Sequence, residues 1–324
     1  MSAVSDAHPA EFLRPDTYAD AMDAEALRER AALVALLRAR PNRLRWTDLM
    51  VEVLEAGSAR EVWQRVVLPN LMDDLEGLDQ VNQASHDIAD WEWQGLTLST
   101  ILDRDYPVRL RGIHQAPPIL FARGRLVPDD RAVSVVGPRD ASEYGITFAK
   151  SLARELVDRG MTVVAGLARG IDTAAHRAAL DTGGRTVAVI GSGINRTYLA
   201  ANRALQEEIV RRGLVLSQFW PDAPPQKHTL LMRNTTMSGY SLATVVVEAE
   251  ELGASEARAR VAIEHGRPVI LTDFVVSQHA WAKNLVGRPG IHVASSVQDV
   301  ISILKRLEDE HDAAELLLRQ LLVL

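Results

Sequence analysis

The sequence predicts an α/β protein: a Rossmann-like, doubly wound, mostly parallel sheet preceded by a small helical domain. Three observations carry this. Short apolar runs near 133–136, 162–165, 186–190, 214–217, 244–247 and 268–271 alternate with stretches of helical periodicity. Each run is apolar at consecutive positions, as strands covered by helices on both faces require. The first two runs end in glycine turns that open helices, which is the grammar of a βαβ unit.

In chain order, residues 1–22 lack apolar periodicity and read as a loose tail. Residues 23–100 read as an acidic helical domain. Its first helix carries Leu27, Ala31, Val34 and Leu37 on one face and is broken at Pro41-Asn42. A second is expected around Trp46, Leu49 and Val53, a third over Ala59 to Leu68, and two more over Leu71 to Gln83 and Ala84 to Leu96. Trp46, Trp63, Trp91 and Trp93 are expected in the core of this domain. Residues 101–307 form the Rossmann-like domain with its N-terminal connector. Pro107, Pro117 and Pro118 exclude a long helix from the connector, and Ile119 to Ala122 reads as an edge strand. Ile291 to Ala294 adds a strand and Val297 to Leu307 a closing helix. Residues 308–324, which finish in a leucine-rich run, read as a separate C-terminal helix.

Composition narrows the chemistry. The formal charge of the 324 residues is −7, but residues 1–100 hold 9 Lys and Arg against 18 Asp and Glu, whereas residues 121–240 hold 16 against 11. Positive charge therefore collects with the glycine turns. Cysteine is absent, so disulfides and thiolate chemistry are excluded. Met1 to Thr17 is polar, and no apolar run approaches the roughly 20 residues of a membrane span. A soluble, cytoplasmic protein without a membrane partner is expected.

The first turn reads Gly137-Pro138-Arg139-Asp140-Ala141-Ser142 and the second Gly166-Leu167-Ala168-Arg169-Gly170. Helix N-termini present amides and a positive dipole end, and each turn adds an arginine, so phosphate is the expected ligand. Neither turn is a dinucleotide fingerprint or a P-loop, because Pro138 and Arg139 stand where further glycines are needed and no Gly-Lys-Ser/Thr follows. The alternative for each arginine is a helix cap or a carboxylate pair. Later loops on the same edge carry Gly191, Gly193, Asn195, Arg196 and Tyr198, then Phe219, Trp220, Lys227, His228, Arg233 and Asn234. Cations interleaved with aromatics suit single-stranded nucleic acid, whose bases stack while its phosphates are held. A buried aromatic lid is the competing reading.

This order of motifs resembles the DprA/Smf family (DNA-processing protein A). The resemblance rests on Tyr106-Pro107, on Pro118 to Gly124, on Val135 to Gly145, on Gly166 to His176, on Gly191 to Asn202 and on Arg233-Asn234. Departures mark a divergent member: Pro138, Ala165, Asn195 and Leu199 replace family residues, and Thr235-Thr236 follows the Arg-Asn pair. The resemblance implies single-stranded DNA as partner and, further, loading of a RecA-type recombinase, a role in transformation or recombination, and a homodimer. On that reading Arg139, Arg169, Lys227 and Arg233 contact phosphates, and Gly137, Gly166 and Gly191 admit the backbone. Arg196 adds a phosphate contact and Phe219 a stacking face, with Ser142, Gly170, Gly193, Asn195 and Asn234 completing the set.

No catalytic constellation is expected. The nine histidines are dispersed without a His-Glu-x-x-His, which excludes the common metal patterns, and no cofactor is implied. Asp172 and His176 lie four residues apart on one helix, where a capping aspartate and a packed histidine are the simpler reading. The alternative function is a Rossmann-like nucleotide-derivative sensor or nucleotide-processing protein. The similar phosphoribohydrolases carry a Pro-Gly-Gly-x-Gly-Thr motif near Glu248 to Glu256 that is missing here.

Overall fold

The computed structural model describes residues 17–67, 74–197, 199–251 and 253–322. These divide into two compact units, one ending at Asp90 and one beginning at Trp91. Among the described residues no helix is long and apolar enough to cross a membrane.

The first unit is helical: α1 (Thr17–Ala39), α2 (Trp46–Ala56), α3 (Ala59–Val66) and the greater part of α4 (Asp74–Trp93). Its core is Leu33, Val34, Leu37, Leu49, Val53, Val62 and Ile88, with Trp63 buried among the core residues. Arg40 and Arg43, both left-handed, turn the chain around Pro41, and Trp46 Nε1 donates to the Leu37 carbonyl at 3.2 Å. Ser58 caps α3 by accepting from the Glu61 amide.

Several expectations change here. Helix α1 already begins at Thr17, and residues 1–16 of the expected tail lie outside the described residues. One helix, α4, replaces the expected pair. Ala84 and Ile88 lie one turn apart on its buried face while Asn82, Gln83 and His86 face solvent, so the polar stretch is a helix face rather than a break. Trp93 is 90% exposed, and Trp91 belongs to the second unit, where its ring meets Phe121 edge-on at 4.9 Å.

The second unit runs β1 (Thr97–Thr100), α5 (Val108–Arg111), β2 (Ile119–Gly124), β3 (Ala132–Val136), α6 (Glu143–Asp158), β4 (Thr162–Ala165), α7 (Ile171–Asp181) and β5 (Thr186–Val189). It continues with α8 (Arg203–Arg212), β6 (Leu214–Ser217), α9 (Lys227–Tyr240), β7 (Ala243–Val246), α10 (Ala254–Glu264) and β8 (Val269–Thr272). Helices α11 (Asp273–Gln278) and α12 (Ala280–Lys283), strand β9 (Ile291–Ala294) and α13 (Val297–Leu322) complete it. The nine strands are ordered β1-β2-β6-β5-β4-β3-β7-β8-β9. Strands β3 to β9 are parallel, and β1 and β2 add an antiparallel edge. The mostly parallel, doubly wound sheet expected from the alternating runs is thus the observed one.

Two boundaries differ from expectation. Thr97–Thr100 is a strand, pairing Thr97 with Ala122 and Thr100 with Ile119, so β2 is not at the edge. The C-terminal segment is a single helix, α13, that passes through residue 307 without a break. On one face of the sheet, Leu152 and Leu156 of α6, Ile171 and Ala175 of α7 and Val300 and Leu304 of α13 bury Val133, Val163, Val245 and Ile270. Burying each such aliphatic side chain stabilises by about 1.5–3 kcal/mol, which fixes the strand ends from which the loops project.

Candidate nucleic-acid interface

Strand β3 lies between β4 and β7, so the order in which strands are added reverses there and the turns after β3 and β7 diverge. In open α/β sheets this is where ligands bind. Here the crevice is filled from within. The Ser142 amide donates to Glu248 Oε1 at 3.2 Å and Oε2 at 3.1 Å, and Ser142 Oγ donates to Oε2 at 2.9 Å. Ser142 also caps α6, its Oγ accepting from the Gly145 amide at 3.0 Å. A carboxylate thus occupies the position at the N-terminus of α6 that phosphate was expected to take.

The second turn has the same arrangement. Asp172 Oδ2 accepts from the amides of Gly166 at 3.1 Å and Ala168 at 3.2 Å, drawing the loop around Leu167, whose φ is 59°. A positive φ is strained for leucine, and the two bonds to Asp172 hold it. Asp172 therefore does not pair with His176. The His176 ring is fully buried with Nδ1 2.7 Å from Thr186 Oγ1, which itself donates to the Val163 carbonyl. Burial, opposed by Asp172 and aided by Arg233, lowers the His176 pKa to about 4. The ring is neutral at pH 7.

The glycines serve packing rather than an open approach for a ligand. A methyl at Gly137 would overlap Ile171, one at Gly166 the Arg233 guanidinium, one at Gly191 Leu230, and one at Gly193 the carbonyls of Trp220 and Pro221. Gly170, at φ 73°, lies against the carbonyls of Pro138 and Arg139 and so joins the first two turns. Arg139 and Arg169 extend into solvent from this junction, with Arg169 Nη2 3.5 Å from Asp140 Oδ1.

The third and fourth loops interlock. The Gly193 amide donates to Ala223 O at 2.8 Å, and the Asn195 amide to Pro221 O at 2.9 Å. Arg196 Nε donates to Asp222 O at 3.1 Å, Asn195 Nδ2 reaches Asp222 Oδ1 at 3.3 Å, and Arg123 Nη2 donates to Asn195 Oδ1 at 3.0 Å. Thr229 Oγ1 donates to Gly191 O at 2.6 Å, fixing the start of α9 and with it the exposed Lys227. Asn202 Nδ2 donates to Leu167 O at 2.9 Å, tying the third loop to the second.

Three expected contacts are internal instead. Arg233 is 5% exposed, and its Nη1 donates to Gly166 O at 2.7 Å and Val189 O at 2.9 Å, so its fork closes strand ends. Asn234 is buried beside it in sequence, and Phe219 is 8% exposed, which removes its ring as an open stacking face. Tyr198 lies outside the described residues. Arg139, Arg169 and Arg196 remain exposed on the loops after β3, β4 and β5, and Lys227 at the first position of α9, which follows β6. Among the described residues no group of three or more His, Asp or Glu could hold a metal. Sequence reasoning missed Glu248 as an internal anion, because its partner Ser142 lies 106 residues away, whereas Asp172 takes the capping role expected of it.

Sheet order and site together define a class: a doubly wound α/β protein whose solvent-facing cations follow four adjacent strands at their carboxyl ends. Residues 97–305 match the family model described as DNA recombination-mediator protein A, and the chain belongs to that family. It is 34% identical over 184 residues to the DNA processing protein DprA of Bacillus subtilis (strain 168), covering 56% of this chain and 62% of that protein. It is 40% identical over 179 residues to the Streptococcus pneumoniae (strain ATCC BAA-255 / R6) protein of the same name, covering 55% and 63%. The chain thus spans a little under two thirds of the length of these relatives. The X-ray structure of DNA processing protein A from Streptococcus pneumoniae superposes with a TM-score of 0.65 at 30% identity, covering 86% of this chain and 96% of that one. The Helicobacter pylori protein shares the fold at a TM-score of 0.57 and 24% identity, over 65% of this chain and 96% of that one.

Proposed function

We propose that this chain is a non-catalytic, sequence-tolerant single-stranded DNA-binding protein. The observation that carries the reading is the row of exposed cations, Arg139, Arg169 and Arg196 on loops and Lys227 at the start of α9, all held in place by internal hydrogen bonds. Guanidinium and ammonium groups on such loops meet phosphates as charge-assisted donors without reading base identity. Family membership supports a DNA-processing role, and a single-stranded DNA binding mode is described for the Helicobacter pylori protein. Loading of a RecA-type recombinase, a part in transformation or recombination, and assembly as a homodimer extend the same reading.

The internal carboxylates sharpen it. With Glu248 at α6 and Asp172 at α7, phosphate is held by side chains above the turns rather than by the turn amides. Binding of this kind is governed by salt. Equilibrium binding to a labelled single-stranded oligonucleotide at two salt concentrations, with duplex DNA and mononucleotide as competitors, is the test. Salt-sensitive binding that prefers single strands is expected. Displacement by mononucleotide at comparable concentration would instead identify a nucleotide sensor, and no binding would end the proposal.

A further inference from the structure

A recess of about 300 Å³ lies between α8 and the β2–β6 pair, beside the third loop. Arg123 and Arg203 line it with Asn195, Glu207 is the one carboxylate in its wall among the described residues, and Val210 and Val215 contribute apolar surface. Two guanidiniums against one carboxylate leave the recess positive. Its volume is at the lower end for small-ligand sites.

Arg123 is held in place. Its Nη2 donates to Asn195 Oδ1 at 3.0 Å, and Asn195 is fixed in turn by Asp222 and by its own amide bond to Pro221 O. Only one of the five N–H donors of this fork is engaged with Asn195, so the others stay open to an anion. Arg203 is exposed at the first position of α8 and pairs with no carboxylate among the described residues. Helix α8 also differs from α6 and α7 at its start, in having no acidic residue in its first turn. A dipole end without an internal anion adds to the field of the two arginines.

We propose that this recess is a second phosphate-binding subsite, where Arg123 and Arg203 hold a phosphate of the strand bound at Arg139 and Arg169. Asn195 and Arg196 belong to the loop between the two places, which gives the strand a continuous path along the sheet edge. The strand as occupant rests on the single-stranded DNA reading; the phosphate chemistry of the recess does not. A free nucleotide would present the same group.

The experiment compares the wild type, the double variant Arg123→Ala/Arg203→Ala and the single variant Arg139→Ala. Anisotropy titrations use a labelled oligothymidylate of about thirty residues over a range of salt, and calorimetry uses dTMP and inorganic phosphate; the oligomer length is a design choice of the order a multi-contact strand needs. The double variant is expected to bind the oligomer on the order of tenfold more weakly, with a salt slope lower by about 0.7 for one lost phosphate contact. Arg139→Ala tests the first contact separately. If the wild type ignores the oligomer but takes up dTMP, and the double variant does not, the recess stands as a free-nucleotide site and the strand reading falls. Wild-type affinity and slope in the double variant, together with no uptake of dTMP or phosphate by the wild type, would overturn the subsite. Because Arg123 also braces a loop, Arg203→Gln, an exposed change, repeats the measurement with that brace intact.

Discussion

Glu248 accepts three hydrogen bonds from Ser142 across 106 residues of sequence, closing the crevice where the strand order reverses. The carboxylate does at the N-terminus of α6 what a bound anion does elsewhere. Replacing Glu248 with alanine should therefore cost about 1–3 kcal/mol, the loss of charge-assisted bonds to a capped turn. The vacated amide should then take up a small anion. Thermal denaturation with and without sulfate checks this: the variant should melt lower and recover with sulfate, whereas the wild type should respond little. A variant indifferent to sulfate would show that the turn has no anion site to open.

Gly166 and Arg233 are related as a hole and its plug. A methyl at position 166 would overlap the buried guanidinium, whose Nη1 serves two carbonyls at 2.7 and 2.9 Å. Gly166→Ala should destabilise by about 2–4 kcal/mol, because displacing the guanidinium leaves buried carbonyls without donors. Chemical denaturation measures the loss. A change below about 0.5 kcal/mol, the range of an inert surface substitution, would show that the guanidinium can move aside at little cost.

Legibility in the sequence followed burial. Strands β3, β4 and β6 lie covered on both faces, and a two-faced burial writes itself as a continuous apolar run. Strand β1 escaped notice because Thr97, Ser99 and Thr100 are polar; Ser99 and Thr100 are nevertheless buried, a consequence of pairing with β2 rather than of local composition. The break expected near residue 307 failed for a related reason, since a charged stretch on a helix is one of its faces and not its end. At the site, residue type marked the cations but could not separate Lys227, which faces solvent, from Arg233, which the carbonyls of β4's turn and β5 claim. That distinction depends on partners 67 and 44 residues away.

His176 gives the protein an acid limit. Its folded pKa of about 4 lies below the ordinary value of 6.5, so between these two pH values the unfolded chain binds a proton that the folded chain does not. Stability then rises with pH across that window and falls as the solution is acidified through it, by up to about 1.4 kcal/mol per pH unit from this group. Above pH 6.5 the contribution is flat. His176→Asn, which keeps a polar partner for Thr186, should flatten this part of the stability profile between pH 4 and 6.5 while lowering stability at pH 7. Denaturant midpoints across the range provide the measurement, and an unchanged slope in the variant would assign the acid sensitivity to other groups.

Arg233 and Lys227 share one helix, α9, and should fail in opposite ways when removed. Arg233 is 5% exposed and donates to backbone carbonyls, so Arg233→Ala strips a buried network of its donor. Its expected effect is a loss of about 3–5 kcal/mol in folding stability, the range for breaking a buried charged network. Any protein that remains folded should bind single-stranded DNA with a salt slope close to that of the wild type, because no phosphate contact has been deleted. Lys227 is exposed at the first turn of α9, where the capping residues Gln226 and Thr229 hold the backbone without its help. Lys227→Ala should leave the melting temperature within the narrow range of a surface change. It should also weaken binding across sequences and lower the salt slope by about 0.7. Denaturation and salt-dependent anisotropy on the same two preparations separate the roles. A salt slope lowered by Arg233→Ala at full folding, with Lys227→Ala silent, would reverse the assignment and place the strand deeper in the loops than the exposed cations indicate.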